Sequence, residues 1–257
     1  MFPVSGEVHL RLVEGAETFS DDRLEVYRQT ILSPEEREKE RRFYFQRDRN
    51  RYVVTRALVR TVLASYYQVK PTHWVFDTNT YGRPMLINAP TTSPPLSFNL
   101  SHTDGLIVLA VAREGVGVDA ENWVKRKAPI ELAPRYFSSV EATDLARLPP
   151  SEQAERFFWY WTLKEAYIKA RGMGLAIPLD QFGYTYPSDS QVCLTIDPAL
   201  GDDPFRWNCA LFRGSNEHLV ALCCERREAR APTVRAWKSV ALDGEAPVNL
   251  PVVRTNF

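Results

Sequence analysis

The chain has 257 residues, 44% of them hydrophobic and 25% charged, which suits one large domain or two small ones with a real core. Lys+Arg and Asp+Glu each total 32, so the formal net charge is zero, and the basic surplus of a protein that coats nucleic acid or an anionic membrane is absent. The longest apolar run, Leu106 to Ala112, falls far short of the roughly 20 residues that span a bilayer, and the N-terminal MFPVSGEVHL lacks the pattern of a signal peptide. These features predict a soluble, cytoplasmic protein.

In chain order, Glu7 to Val13 alternates polar and apolar residues and predicts a half-buried strand. Ser33 is a good N-cap, Pro34 fits the first helical position and Glu36 completes a capping box, so a long helical stretch starts here, with a break near Gln46 to Asn50. Strands follow at His73–Asp77 and Ser97–Leu100, separated by a turn at Tyr81-Gly82-Arg83-Pro84 and a proline-rich loop. Leu106–Ala112 and Val116–Glu121 read as a hairpin joined by Arg113-Glu114-Gly115. A second long helix covers about Ser151 to Arg171 and is closed by Gly172 and Gly174. Short strands are expected at 182–186, 191–196, 207–212 and 218–225, and the last thirty or so residues show weak periodicity. Cys193, Cys209, Cys223 and Cys224 form no CxxC pair, lie in apolar stretches and read as buried free thiols.

Each half thus holds a long helix and several strands. The expected fold class is α+β, with two similar halves over residues 1–114 and 115–257, the second carrying an extension after about 226.

Two features depart from what a core needs. In Gly117-Val118-Asp119-Ala120-Glu121, a strand would place Asp119 and Glu121 on one face, about 7 Å apart, opposite Val116, Val118 and Ala120. Two like charges side by side call for a cation, and oxygen ligands suit magnesium; the alternative is a strand end with two solvated acids. In ERFFWYWTLKEAYIKARG, Glu165 falls on the stripe formed by Ala154, Phe158, Trp161 and Ile168, with Lys169 four residues on as an ion-pair partner. Lys164 reads as a solvated neighbour able to reach a phosphate from the rim. Three acids and a lysine around one metal suit phosphoryl or phosphodiester transfer, while HExxH, GxSxG and P-loop patterns are absent.

With these residues in place, the chain resembles the Sfp-type 4'-phosphopantetheinyl transferases. GVGVDAE and FFWYWTLKEAYIKARGMGL resemble the family's two signature blocks, Ser97-Phe98-Asn99-Leu100-Ser101-His102 its FNxSH segment and Tyr81-Gly82-Arg83-Pro84 its YGKP turn. SPEEREKERRF and RYFSSVEATDL match its flanking helices, so the likeness runs in order over roughly residues 30 to 185.

The resemblance implies two α+β halves related by a pseudo-twofold axis, with coenzyme A in the cleft between them. It implies a monomer that moves the 4'-phosphopantetheine arm of coenzyme A onto a serine of an acyl, peptidyl or polyketide carrier protein and releases 3',5'-ADP. Asp119, Glu121 and Glu165 would be the magnesium ligands, Glu121 directly or through water. Lys169 would touch the phosphates, and Glu165 or a metal-bound water would take the serine proton. His102 and Ser101 would meet the 3'-phosphate, Arg83 would lie in the turn against the adenine, and Lys39 and Arg51 align with basic positions near the phosphates. One departure is Glu36, which stands where the family often has a lysine; its capping role explains it structurally, and Arg51 is the candidate substitute.

Two other functions compete on the residues alone. The arginine-rich stretch from Arg37 to Arg60 could present a basic face to RNA or an acidic partner, but Glu35, Glu36, Glu38, Glu40 and Asp48 interleave with it and favour a salt-bridged helix. A metal-dependent phosphodiesterase would use the same acids with water as nucleophile.

Overall fold

The computed structural model describes residues 2–227 and 230–257 and is α+β. The chain opens with β1 (Glu7–Glu14), α1 (Asp21–Thr30), α2 (Pro34–Arg41) and α3 (Gln46–Tyr67), followed by β2 (Phe76–Thr78), β3 (Pro84–Leu86), β4 (Ser97–Thr103) and β5 (Leu106–Ala112). It continues with β6 (Val116–Asn122), α4 (Ala133–Tyr136), α5 (Ser139–Arg147), α6 (Pro150–Arg171), β7 (Phe182–Thr185), β8 (Cys193–Ile196), β9 (Trp207–Arg213) and β10 (His218–Glu225). β11 (Thr233–Val240), β12 (Gly244–Val248) and β13 (Val252–Thr255) complete it. Among the described residues, no helix is long and apolar enough to cross a membrane.

Two sheets organise the molecule, in strand order β12-β11-β1-β5-β4 and β13-β9-β10-β6. Their inner faces share one core, in which Leu10, Leu12, Val108 and Ala110 meet Val118, Ala120, Val220 and Leu222. α3 covers the outer face of the first sheet through Val54, Leu58 and Leu63 against Ile107 and Leu109. α6 covers the second through Phe158, Leu163, Ala166 and Tyr167 against Leu219, Ala221 and Cys223. Each large apolar side chain so buried contributes about 1.5–3 kcal/mol, which outweighs the weak helical preference of the many aromatics in α6.

The same local device appears beneath both long helices. Ser33 and Glu36 form a capping box on α2, and buried Glu36 receives Arg60 Nε at 2.7 Å, while Arg60 Nη1 donates to the carbonyls of Pro71 and Trp74. Ser138 and Glu141 form a capping box on α5, and Glu141 receives Lys164 Nζ at 2.7 Å, while Lys164 also donates to the carbonyls of Leu179 and Phe182. In each case a basic residue of the long helix neutralises the carboxylate that starts a shorter one. Arg28 likewise pairs with Glu40, so the charges of α1 to α3 form an ion-paired surface, as their interleaving predicts.

Several expectations need correction. β5 and β6 are not a hairpin: β5 pairs with β4 and β1, whereas β6 pairs with β10 in the other sheet. The hairpin partner of β5 is β4, joined by Asp104-Gly105, with Gly105 at φ +83 as a tight turn requires. The break between α2 and α3 falls at 42–45, ahead of Gln46. Cys193 is exposed, and only Cys209, Cys223 and Cys224 are buried free thiols. The chain after residue 226 leaves the second sheet: β11 pairs in parallel with β1, Glu7 opposite Thr233, and β13 then returns to the second sheet as its outer strand beside β9.

The edges of the two sheets meet where β4 runs beside β6. Asn99, Ser101 and Thr103 point to one side of β4 and accept, through their side-chain oxygens, the backbone N–H groups of Val118, Ala120 and Asn122 at 2.9, 3.2 and 3.1 Å. Alternate polar residues on one edge thus satisfy the donors of the other, which burial would otherwise leave unpaired.

Candidate active site

The close approach of α6 to β6 starts at Gly117. A Cβ at that position would run into the Ala166 carbonyl and the Ala170 amide and would stand 2.9 Å from Ala170 Cα, so only glycine lets the strand lie against the helix backbone. Two and four residues on, Asp119 and Glu121 project on the α6 side of the strand, opposite Val118 and Ala120. They are 5% and 6% exposed, which rules out the reading of a strand end with two solvated acids.

A polar cleft of about 390 Å³ collects Ser101, His102 and Thr103 from β4, Asp119 and Glu121 from β6, and Trp161, Glu165 and Lys169 from α6, with Arg126 at its rim. Lys169 Nζ lies 2.6 Å from Asp119 Oδ1 and donates to Ser101 Oγ at 3.1 Å. The Ser101 hydroxyl donates to the same Asp119 oxygen at 2.8 Å and accepts the Ala120 N–H, so it orients both partners. Arg126 pairs with Glu121. Burial, and then the neighbouring Asp119, push the Glu165 carboxyl up to about 7, with Lys169 opposing. The same two causes raise Glu121, and Arg126 opposes them. His102 faces the cleft mouth and is held below the ordinary histidine range, first by desolvation and then by Arg51.

The donor set suits a hard cation. Three carboxyl groups line one cleft, and Asp119 Oδ2 is buried without a hydrogen-bond partner. The trio is nevertheless not preassembled. Among the described residues, no three His, Cys, Asp or Glu side chains converge to hold a metal, and two of the three acids are engaged by Lys169 and Arg126.

The other expected residues are placed as follows. Lys164 is corrected: it is 1% exposed, lies on the core side of α6 and spends its ammonium on Glu141, Leu179 O and Phe182 O, away from the cleft. Lys39 also stays outside the cleft, exposed on α2 with its ammonium 5.9 Å from the Tyr52 ring centre. Arg51 pairs with Asp48 at 2.7 Å and with Glu17 at 3.7 Å, close enough to His102 to act on its charge. Arg83 directs both terminal nitrogens at the end of α6 and the start of β6. Glu36 is consumed by its cap, Arg56 and Arg60, as its capping position predicts.

Sequence reasoning missed Arg126. The signal was the basic run Lys125-Arg126-Lys127 close behind Glu121, which brings a cation back over the strand end. It also missed an apolar hollow of about 300 Å³ that shares Arg126 and Trp161 with the cleft and is walled by Leu132, Tyr136, Phe158 and Leu175.

Acids and cations of the second half and Ser101, His102 and Thr103 of the first thus share one polar cleft with an apolar annex. Comparison with known proteins agrees with the class these features define. The model of the 4'-phosphopantetheinyl transferase superfamily matches residues 115–223, and that of the 4'-phosphopantetheinyl transferase N-terminal region matches residues 21–114. A 4'-phosphopantetheinyl transferase of Bacillus subtilis is 33% identical over 75% of this chain and 81% of its own length. The 4'-phosphopantetheinyl transferase Sfp of Bacillus subtilis (strain 168) is 35% identical over 65% of this chain and 72% of its own. HetI of a Nostoc species is 38% identical over 56% and 61%. The chain belongs to the Sfp-type 4'-phosphopantetheinyl transferase family.

Proposed function

We propose that this protein transfers the 4'-phosphopantetheine group of coenzyme A to a serine hydroxyl of an apo carrier protein and releases 3',5'-ADP. The serine oxygen forms a bond to the phosphorus that bears the pantetheine arm, the bridging P–O bond of the pyrophosphate breaks, and the leaving phosphate departs with its electrons. The observation that carries the reading is the convergence of Ser101, His102, Asp119, Glu121, Glu165 and Lys169 on one cleft, from three elements and from both sides of residue 115.

In this reading Asp119, Glu121 and Glu165 hold a divalent cation, magnesium by its preference for oxygen. When bound, the ion supplies positive charge against the pyrophosphate. The buried free oxygen of Asp119 supports it. Lys169, anchored on Asp119 and Ser101, offers its remaining donor and its charge to the phosphates. His102, in the cleft, and Arg51, near it, meet the 3'-phosphate in place of the lysine that Glu36 replaces. Glu165 has no hydrogen-bond or ion-pair partner among the described residues and is the side chain here able to accept the serine proton. The apolar hollow beside Trp161 gives the pantetheine arm an uncharged path.

The shared design of the parts 1–114 and 115–257, each with a capping box, a 22-residue helix and strands of its own sheet, the first sheet being completed by β11 and β12, supports two halves related by a pseudo-twofold axis, with the ligand cleft between them and a monomer as the working unit. A cytoplasmic location follows from the substrates. The test is labelling of an apo carrier protein by a fluorescent coenzyme A, with magnesium and with excess chelator. The reading predicts labelling in the first case alone, lost in Glu165→Gln; labelling that survives the chelator would remove the metal from it.

A further inference from the structure

The turn before β3 reaches a helix far away in sequence. Arg83 Nη1 donates to the carbonyls of Lys169 and Ala170 at 3.1 and 2.8 Å, and Nη2 donates to Ser97 Oγ and the Val116 carbonyl at 2.9 and 3.0 Å. Asn79 Nδ2 donates to the Gly172 carbonyl at 2.7 Å, while its Oδ1 accepts the N–H groups of Tyr81 and Arg83 and stiffens the turn itself. Gly172 ends α6 with φ +68, and a Cβ there would stand 3.0 Å from Arg83 Cδ, so helix stop and arginine fit each other.

The carbonyls at the end of a helix lack intrahelical donors and carry its negative pole, so a cation held there keeps the last turn closed. Here the cation comes from another part of the chain and ties three elements at once. Lys169 lies on α6, Val116 opens the strand that bears Asp119 and Glu121, and Ser97 opens the strand that bears Ser101 and His102. A planar guanidinium can serve four acceptors in such a layout, whereas a lysine ammonium has only three donors on one atom.

We infer that Arg83 is a positioning residue for the transfer reaction: by clamping the last turn of α6 to the starts of β4 and β6, it fixes where Lys169 stands over Asp119. The inference rests on the cleft being the active site, and it assigns the guanidinium to the protein rather than to the adenine. Displacement of a reacting group by about 1 Å costs on the order of 100-fold in rate, so a frayed helix end is enough to matter.

The experiment is a double-mutant cycle on the full chain. Arg83→Ala should lower kcat for carrier modification by about 10-fold or more, Asn79→Ala should lower it in the same direction, and Arg83→Lys should recover only part of the loss. In a Lys169→Ala background, Arg83→Ala should change neither kcat nor the coenzyme A KM by more than about twofold. Additive losses, or a rise in coenzyme A KM that persists without Lys169, would overturn the inference in favour of direct coenzyme contact. Hydrogen exchange gives a readout independent of activity. In Arg83→Ala, or in Asn79→Ala should the former not fold, amides 167–172 should exchange faster while those of α3 keep their protection; unchanged exchange at 167–172 would also overturn it. Wild-type protein that modifies no carrier would instead defeat the functional reading, while the exchange result still decides the clamp.

Discussion

Lys169 holds one oxygen of Asp119, at 2.6 Å from Oδ1, and leaves the other, Oδ2, buried and without a partner. A carboxylate half-satisfied in this way is costly unless something else completes it, and the cleft acids around it repel rather than help. In the proposed reading, a cation entering the cleft would relieve Asp119 Oδ2 and Glu165 together. Asp119→Ala should therefore abolish magnesium-dependent carrier labelling, by about 100-fold or more, in protein whose circular dichroism is unchanged. Labelling at wild-type rates would remove Asp119 from the reaction.

Gly117 is a packing requirement rather than a turn. Gly117→Ala should destabilise the fold by about 2 kcal/mol or more, because the backbone of α6 cannot yield as a flexible side chain could. Urea unfolding measures this directly; a midpoint equal to that of the wild type would show that helix and strand stand farther apart.

Lys164 should act on stability and not on catalysis. Lys164→Met leaves Glu141 buried without its counter-charge and should cost about 3–5 kcal/mol, and adding Glu141→Gln should return part of that loss. The coenzyme A KM of any folded Lys164 variant should stay within about twofold of wild type; a larger rise would restore the rim position that the sequence suggested.

Acid should weaken the fold through histidine. His9 is buried, and burial holds it below its ordinary pKa of 6.5, as desolvation does for His102. Well above pH 6.5 both are neutral whether folded or unfolded and contribute no pH dependence. Below it the unfolded chain takes up protons that His9 and His102 refuse in the folded one, so their contribution to stability falls as pH drops from about 6.5, while the raised carboxyls of Glu165 and Glu121 protonate first in the folded chain and oppose it. The melting-temperature advantage of wild type over His9→Gln should therefore shrink as pH falls below about 6.5; a difference that does not change with pH would clear His9 of the role.

Much of the cleft was legible because its determinants are local. Alternation puts Asp119 and Glu121 on one face, helical spacing puts Glu165 and Lys169 on one side, and the Ser33–Glu36 box marks its own helix start. What escaped was set by distance or by competition. β11 pairs with β1 across almost the whole chain, and its half-exposed residues carry only a weak periodicity of their own. The supposed hairpin of β5 and β6 failed because Asp104-Gly105 is the stronger turn, and it sends β5 back along β4. Lys164 looked like a surface residue because lysine usually is one; only the buried carboxylate of Glu141, brought up by α5, explains its position. No periodicity shows that Asn99, Ser101 and Thr103 serve the amides of another strand.

The most direct measurement is mass spectrometry of a panel of apo carrier proteins incubated with this protein, magnesium and coenzyme A. The account predicts that at least one carrier gains a single phosphopantetheine group, with 3',5'-ADP released in equal amount and no gain with Asp119→Ala. Breakdown of coenzyme A at the same rate without any carrier, and with no carrier modified, would contradict it and leave the cleft to a hydrolase.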